Sequence, residues 1–205
     1  HPEIIDSCLK SLAITEGISY EVVVVDNGST IPTIKALRAH KEAGRITLLV
    51  ESPINNWFSV GNNIGVRHSN PESDYVLLLN SDVAAVHPLW LSKLVRWMEG
   101  TIEHRPSVWN LHPTIPIPGP KDIVSYGWSH DANIVPGRCR PEGWCCLYRR
   151  SVWQDMSPDF PFHFGFEEQI SKIVRAGGRC GVLWHYQNYV VHREGASEGS
   201  KISHL

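Results

Sequence analysis

The sequence predicts an α/β domain in which helices cover both faces of a mostly parallel sheet, followed by an irregular second half. Three observations favour this class. Short, continuous apolar runs such as 21–25 and 75–79 are typical of buried strands, and amphipathic segments separate them. The chain has 205 residues, enough for one such domain. From residue 105 to residue 143 prolines and glycines are dense and the periodicity is lost, which indicates long loops.

The elements of the first half follow from the spacing of apolar residues. In chain order, this spacing predicts a helix over 3–12, a strand over 21–25, a helix over 33–43, a strand over 46–50, a short helix over 61–69 and a strand over 75–79. A further helix opens at Pro88, because Leu91, Leu94, Val95 and Met98 then share one face.

The second half offers fewer signals. One or two short strands are expected within 105–143, a strand over 144–149, and a helix over 167–176 that ends at Gly177 and Gly178. The segment from Ala196 onwards has the composition of a mobile tail or lid.

Charge and composition exclude several classes of protein. The formal net charge is -2 and the basic residues are scattered, so no nucleic-acid partner is expected. No apolar run approaches the roughly 20 residues that span a bilayer, and no signal peptide is visible. We therefore expect a cytoplasmic protein without a transmembrane segment, and peripheral membrane association stays open. The five cysteines lack regular spacing and are expected to be reduced thiols, with Cys145 and Cys146 on opposite sides of a strand.

Polar clusters follow two of the predicted strands, at 26–29 and at 80–82. Each is also good turn chemistry, but ligands of open parallel sheets bind beyond the carboxyl ends of the strands. Asp82 carries a carboxylate of the kind that hard divalent cations prefer. An imidazole ligand such as His192 would shift the preference from Mg²⁺ towards Mn²⁺, and His185 is a competing candidate.

Five segments, in order, resemble motifs of family 2 glycosyltransferases. They are Val-Val-Val-Asp26-Asn-Gly-Ser, Asn55-Asn-Trp-Phe58-Ser-Val-Gly61-Asn-Asn63-Ile-Gly65, Tyr75-Val-Leu-Leu-Leu-Asn80-Ser81-Asp82, Phe164-Gly-Phe-Glu167-Glu168, and Val191-His192-Arg-Glu-Gly-Ala-Ser197. The resemblance runs from about residue 3 to about residue 197. It implies the GT-A fold, a Rossmann-like nucleotide-diphospho-sugar transferase fold, and an inverting sugar transfer from a UDP- or dTDP-sugar donor to a hydroxyl, such as one on a glycan acceptor.

The resemblance also implies roles for individual residues. The donor would lie against Asp26, Asn27, Asn55, Asn63, Asn80 and Ser81, and a Mn²⁺ or Mg²⁺ ion, with Mn²⁺ preferred, would be held by Asp82 and His192. Glu168 would be the general base, with Glu167 as the alternative, because adjacent helical residues point about 100° apart. Candidates for acceptor binding are Trp144, His163 and Phe164, with Trp128 beside them and simple packing as the alternative for each.

The sequence departs from the family pattern in three places. The family's first strand, which precedes the helix near Pro2, is not present in this sequence. Asn80 stands first in the DxD-type motif, as in members resembling rhamnosyltransferases, which leaves Asp82 as its carboxylate. Glu168 replaces the usual Asp. We expect a single catalytic domain over 1–205, with residues 1–100 as the donor half and 101–205 as the acceptor half.

Two other functions remain open from the sequence. One is a catalytically inactive carbohydrate- or nucleotide-binding module that retains the fold, which the incomplete DxD motif suggests. The other is a sugar nucleotidyltransferase, although the Gly-rich, Lys-bearing start of those enzymes is not visible.

Overall fold

A computed structural model of the chain describes residues 2–101, 119–126, 143–160, 164–183 and 188–193. The helices in these ranges are α1 (Pro2–Leu12), α2 (Ile31–Glu42), α3 (Trp57–His68), α4 (Trp90–Met98) and α5 (Phe164–Arg175). The strands are β1 (Val23–Asn27), β2 (Leu48–Ser52), β3 (Tyr75–Leu79), β4 (Val83–Ala85), β5 (Ile123–Tyr126), β6 (Cys145–Arg149), β7 (Cys180–Leu183) and β8 (Val190–His192).

The regular first half follows the predicted alternation closely. Predicted strand 75–79 has the bounds of β3, and each predicted helix has a counterpart. The largest shift is at α3, which begins at Trp57 and not at Gly61. The early start has a local cause, since the Trp57 amide donates to the Asn55 side-chain oxygen at 2.8 Å and the first turn is thereby anchored.

The described strands form three sheets, in the orders β1-β2, β3-β6-β5-β7 and β4-β8, and their pairing is mixed, which corrects the expectation of a mostly parallel sheet. β1 pairs with β2 in parallel and β5 pairs with β7 in parallel. The other three ladders, β3 with β6, β5 with β6, and β4 with β8, are antiparallel. An apolar run shows that a strand is buried but carries no information on its direction, so the reversed strand β6 could not be recognised from the sequence.

The strands whose individual positions were not predicted from the sequence are the short ones. β4 and β8 have three residues each, and β5 and β7 have four. Segments of this length contain too few residues for a period to be recognised. β5 falls within the stretch 105–143, where one or two short strands were expected.

The core divides into two hydrophobic clusters on opposite faces of β6. Cys145 and Leu147 belong to the cluster that packs with α1 and α4. Cys146 and Tyr148 belong to the cluster that packs with α5. The prediction that the adjacent cysteines face opposite sides is confirmed. Cys8, Cys145, Cys146 and Cys180 are buried free thiols, and burial raises the pKa of both strand thiols, which keeps them protonated and unreactive.

Several sequence predictions lie outside the described residues: Trp128, Cys139, His163, His185 and the tail from Ala196. Among the helices that the structure does describe, none has the length and apolar character to cross a membrane.

Candidate functional site

Asp82 lies in the tight turn that joins β3 to β4. The turn is held from both sides by main-chain hydrogen bonds: the Asn80 amide donates to the Trp144 carbonyl at 2.8 Å, and the Arg193 amide donates to the Asp82 carbonyl at 3.0 Å. The Asp82 side chain is only 2% exposed. A carboxylate buried to this degree requires a positively charged or hydrogen-bonding neighbour.

His192 provides such a neighbour. It ends strand β8 and is paired with Val83, the residue after Asp82. Its Nε2 atom lies 3.4 Å from Asp82 Oδ1. Two ligands bound at about 2.1 Å to one cation can be up to ~4.2 Å apart, so both donors can reach one ion. Without an ion the same atoms form an ion pair when the imidazole is protonated.

The carboxylate and imidazole therefore fit a divalent cation that other groups also coordinate. Within the described ranges no set of three or more His, Cys, Asp and Glu side chains is arranged to hold a metal. An oxygen-rich ligand such as a diphosphate, or water, would supply further donors in the way usual for Mg²⁺ and related ions.

Asp26 is the fourth residue of β1, and its side chain braces the turn that follows the strand. Its side chain is 3% exposed, and both carboxylate oxygens accept from the Ser29 amide, at 3.3 and 3.4 Å. Gly28 follows with φ of +74°, and a Cβ there would lie 3.0 Å from the Ile54 carbonyl carbon. The turn needs glycine for both reasons. The chain does turn at residues 28 and 29, as the sequence suggested. Because this turn lies at the carboxyl end of β1, binding of the donor here stays a prediction.

The start of α3 packs against this turn through Asn27 and Trp57. Asn27 donates to the Trp57 carbonyl at 3.2 Å and also contacts Asn56. A Cβ on Gly61 would lie 2.7 Å from Asn27 Nδ2, so glycine at 61 makes room for that amide. Trp57 has φ of 58°, in the left-handed region, and its side chain is 44% exposed. This conformation costs a residue with a Cβ about 1–2 kcal/mol.

Asn63 has a different environment from its neighbours in the motif. Its amide nitrogen donates to the Met156 carbonyl at 2.8 Å, and its oxygen accepts from the Met156 amide at 2.9 Å. The side chain is 4% exposed. Both ends of the amide are therefore used in joining α3 to the segment before α5.

Glu167 and Glu168 diverge at the first turn of α5. Glu168 forms an ion pair with Lys172 at 2.7 Å, and its side chain is 28% exposed. Glu167 lies on the side of the buried Tyr148, whose pKa is raised first by burial and then by neighbouring groups that include the Glu167 charge. The two carboxylates thus face different surroundings, as the helical angle between adjacent residues requires.

The candidates for acceptor binding also differ from one another. Phe164, at the start of α5, is 68% exposed. Trp144 is 7% exposed, and its indole stacks on the His192 ring with centroids 4.7 Å apart and planes 9° apart. One indole face is therefore covered by His192, and Trp144 is part of the Asp82 surroundings. A surface depression elsewhere, between 151–154 and the end of α5, contains none of the predicted residues.

Three relationships were not anticipated from the sequence: the left-handed Trp57, the Asn63–Met156 pair and the Trp144–His192 stack. A signal existed for the first, because Trp57 occupies the place of Gly in the Asn-x-Gly-Phe element that 55–58 resembles. The other two join residues 93 and 48 positions apart, and no local pattern encodes such pairs.

Comparisons with known proteins bear on the fold and the family. Residues 2–102 match the family model described as glycosyl transferase family 2. A search of curated proteins finds no match. Together with the solved structures below, the family match confirms the predicted resemblance and the GT-A class.

Several solved structures have a similar fold, and one of them is described as a mannosyltransferase. The mannosyltransferase PcManGT from Pyrobaculum calidifontis, in complex with GDP-Man and Mn²⁺, superposes with a TM-score of 0.68 at 19% identity, over 90% of this chain and 52% of that one. TarS from S. aureus superposes with a TM-score of 0.59 at 16% identity, over 92% of this chain and 34% of that one. A TarS fragment, residues 1–349 in complex with UDP, gives a TM-score of 0.57 at 16% identity, over 91% of this chain and 55% of that one. This chain thus spans about half of those proteins or less.

Proposed function

We propose that this chain, whose residues 2–102 match glycosyl transferase family 2 and whose fold is GT-A, transfers a sugar from a nucleotide-diphosphate sugar to an acceptor hydroxyl. The observation that carries the proposal is the pair Asp82 and His192, with donor atoms 3.4 Å apart beyond the carboxyl end of β3. Residues 1–100 form the donor half in this proposal, and 101–205 form the acceptor half.

A divalent cation at Asp82 and His192 would neutralise the negative charge that develops on the departing diphosphate. Mn²⁺ suits a carboxylate–imidazole pair better than Mg²⁺ does. The structure of PcManGT with GDP-Man and Mn²⁺ supports the same chemistry by analogy of fold. UDP- and dTDP-sugars are the proposed donors.

Asp26 and Asn27 are proposed to bind the nucleoside part of the donor, and their place at the carboxyl end of β1, beside α3, supports this role. Asn55 lies at the exposed start of that helix, and Asn80 and Ser81 lie in the Asp82 turn. Asn63 is proposed to support this pocket from within and not to contact the donor, since it is 4% exposed and both ends of its amide bond to the Met156 backbone.

Glu168 is the proposed base. It accepts the proton of the acceptor hydroxyl while the oxygen bonds to the anomeric carbon and the bond from that carbon to the diphosphate breaks. A single displacement from the side opposite the leaving group inverts the configuration of that carbon. Both glutamates are half-buried near the start of α5, but Glu168 is paired with Lys172 whereas the Glu167 charge lies near the buried Tyr148. The Lys172 side chain is 44% exposed, so this ion pair lies on the solvent side of the helix, which favours Glu168.

The test is release of free nucleotide from a panel of UDP-, dTDP- and GDP-sugars with Mn²⁺ and mixed hydroxyl acceptors. We expect release from at least one donor, lost on chelation of the metal and in Asp82→Ala. Saturable donor binding without release from any donor would favour the inactive binding module.

The base is tested by a matched pair of variants. Glu168→Gln should retain donor binding and lose turnover by about 10²–10⁴-fold, the usual range for a general base. Glu167→Gln is the control at the adjacent position. Full activity of the Glu168 variant with loss in the Glu167 variant would reverse the assignment.

A further inference from the structure

Trp144 contacts one member of the proposed metal pair, His192, and also the turn that carries the other member, Asp82. Its ring stacks on His192, with centroids 4.7 Å apart and planes 9° apart. Its main-chain carbonyl accepts from the Asn80 amide at 2.8 Å, two residues before Asp82. Trp144 directly precedes β6, whose first residue pairs with the last residue of β3. The ladder therefore fixes where Trp144 stands relative to the Asp82 turn.

An imidazole ligand offers its lone pair in the plane of the ring. Rotation of the His192 ring about its own side-chain bond would move Nε2 and turn that lone pair away from Asp82 Oδ1. A nearly parallel indole limits this rotation, because tilting the imidazole would push its edge into the indole face. The side chains are 12% and 7% exposed, so surrounding atoms also prevent the pair from separating.

We propose that Trp144 is a positioning residue for the cation site: its indole holds the His192 ring in the plane that directs Nε2 towards Asp82, and its carbonyl anchors the Asp82 turn. This inference rests on the proposed function, since it assigns Trp144 to the metal pair of that site. It also replaces the acceptor platform that the sequence suggested for Trp144.

The substitutions at Trp144 test whether a flat aromatic ring is needed or whether a side chain of similar volume is sufficient. Trp144→Phe retains an aromatic face for His192. Trp144→Leu fills much of the space without one, and Trp144→Met is a second non-aromatic variant should the Leu variant fail to fold. Trp97→Leu is the matched control, because Trp97 is 4% exposed in the same hydrophobic cluster.

The main readout is Mn²⁺ affinity, measured by electron paramagnetic resonance of free Mn²⁺ in the presence of UDP. Removal of residues that orient a metal ligand commonly weakens metal binding by about 10–100-fold. We expect a loss in that range for Trp144→Leu or Trp144→Met, a loss below about 3-fold for Trp144→Phe, and none for Trp97→Leu. Circular dichroism and thermal melts establish which variants are folded.

A double-mutant cycle with His192→Ala tests whether Trp144 acts through the imidazole. In the His192→Ala background, Trp144→Leu should weaken Mn²⁺ binding by less than about 2-fold further. An undiminished additional loss, or an equal loss in Trp144→Phe and Trp144→Leu, would overturn the proposal.

The same measurements distinguish failure of this inference from failure of the proposed function. If Asp82→Ala and His192→Ala weaken Mn²⁺ binding while folded Trp144→Leu binds as wild type does, only the role of Trp144 is wrong. If the wild-type protein itself binds no Mn²⁺ with UDP, both fail.

Discussion

Asn63 and Met156 exchange two hydrogen bonds across 93 positions of the chain, at 2.8 and 2.9 Å, in the interior. Asn63→Ala would leave the amide and the carbonyl of Met156 unpaired, at about 1–3 kcal/mol for each buried group. We expect a correspondingly lower free energy of unfolding, measured by urea titration. Asn62→Ala is the control, because among the described residues the Asn62 side chain bonds within α3, to the Phe58 carbonyl. Equal stabilities of the two variants would contradict the assignment.

Gly61→Ala and Gly65→Ala should have opposite effects in the same helix. Alanine at 65 would meet Val25 at an ordinary 3.4 Å and should stabilise α3 by about 0.5–1 kcal/mol. Alanine at 61 would meet the Asn27 amide at 2.7 Å and displace it from the Trp57 carbonyl. We expect Gly61→Ala to be the less stable variant and to bind UDP more weakly, as thermal melts and calorimetry would show. Binding equal to that of Gly65→Ala would remove Asn27 from the nucleotide site.

Trp57→Gly should be more stable than Trp57→Ala, the reverse of the usual order in helices. The left-handed φ of 58° suits glycine and strains any residue with a Cβ by about 1–2 kcal/mol. Urea unfolding of both variants measures the difference, which we expect to be about 1 kcal/mol. The same pair of substitutions at the exposed Lys35 of α2 is the control, where alanine should be favoured. Alanine favoured at both positions would show that residue 57 is unstrained.

Lys172→Ala should lower turnover without a measurable change in stability. Lys172 holds the proposed base Glu168 at 2.7 Å in an (i, i+4) pair, and such pairs contribute less than about 0.5 kcal/mol. Loss of its orientation should reduce kcat by about 10-fold. Lys10→Ala, which breaks the equally spaced pair with Asp6 in α1, should leave kcat unchanged. A similar kcat for both variants would argue against Glu168 as the base.

Tyr75→Phe should flatten the loss of stability at alkaline pH. Burial, with the hydrogen bond to Glu99 and its charge, raises the pKa of Tyr75 to about 12 in the folded protein, from 10.0. The unfolded state therefore loses its phenolic proton first, so this stabilisation is complete below about pH 10 and is lost as the pH rises to about 12. Urea midpoints at pH 8 to 11.5 should fall less steeply in Tyr75→Phe than in the wild type. Parallel pH profiles would show that Tyr75 does not contribute.

Sequence reasoning succeeded where local patterns decide structure. β3 was predicted with its observed bounds, since five apolar residues between polar neighbours leave few alternatives. Asp82 and Asp26 were singled out because they follow buried apolar runs, and Glu168 because residues 164–168 resemble a motif of family 2 glycosyltransferases. Their proposed roles stay predictions.

The parts that escaped prediction depend on contacts between distant residues. The reversed direction of β6, the stacking of Trp144 on His192 and the pairing of Asn63 with Met156 all arise when remote segments meet. None of these contacts produces a recognisable hydrophobic period or turn motif in the sequence. The candidate residues could therefore be named from the sequence, whereas their arrangement in space could not.

The hydrogen bond from the Asn80 amide to the Trp144 carbonyl makes the shape of the turn independent of the side chain at position 80. Because a peptide group makes this bond, the turn can keep its form while the side chain at 80 is exchanged. Divergent descendants of such a protein can thus gain or lose a carboxylate there without rebuilding the turn. Under the proposed function, position 80 is for the same reason an accessible point for engineering metal preference, with Asn80→Asp as the smallest change.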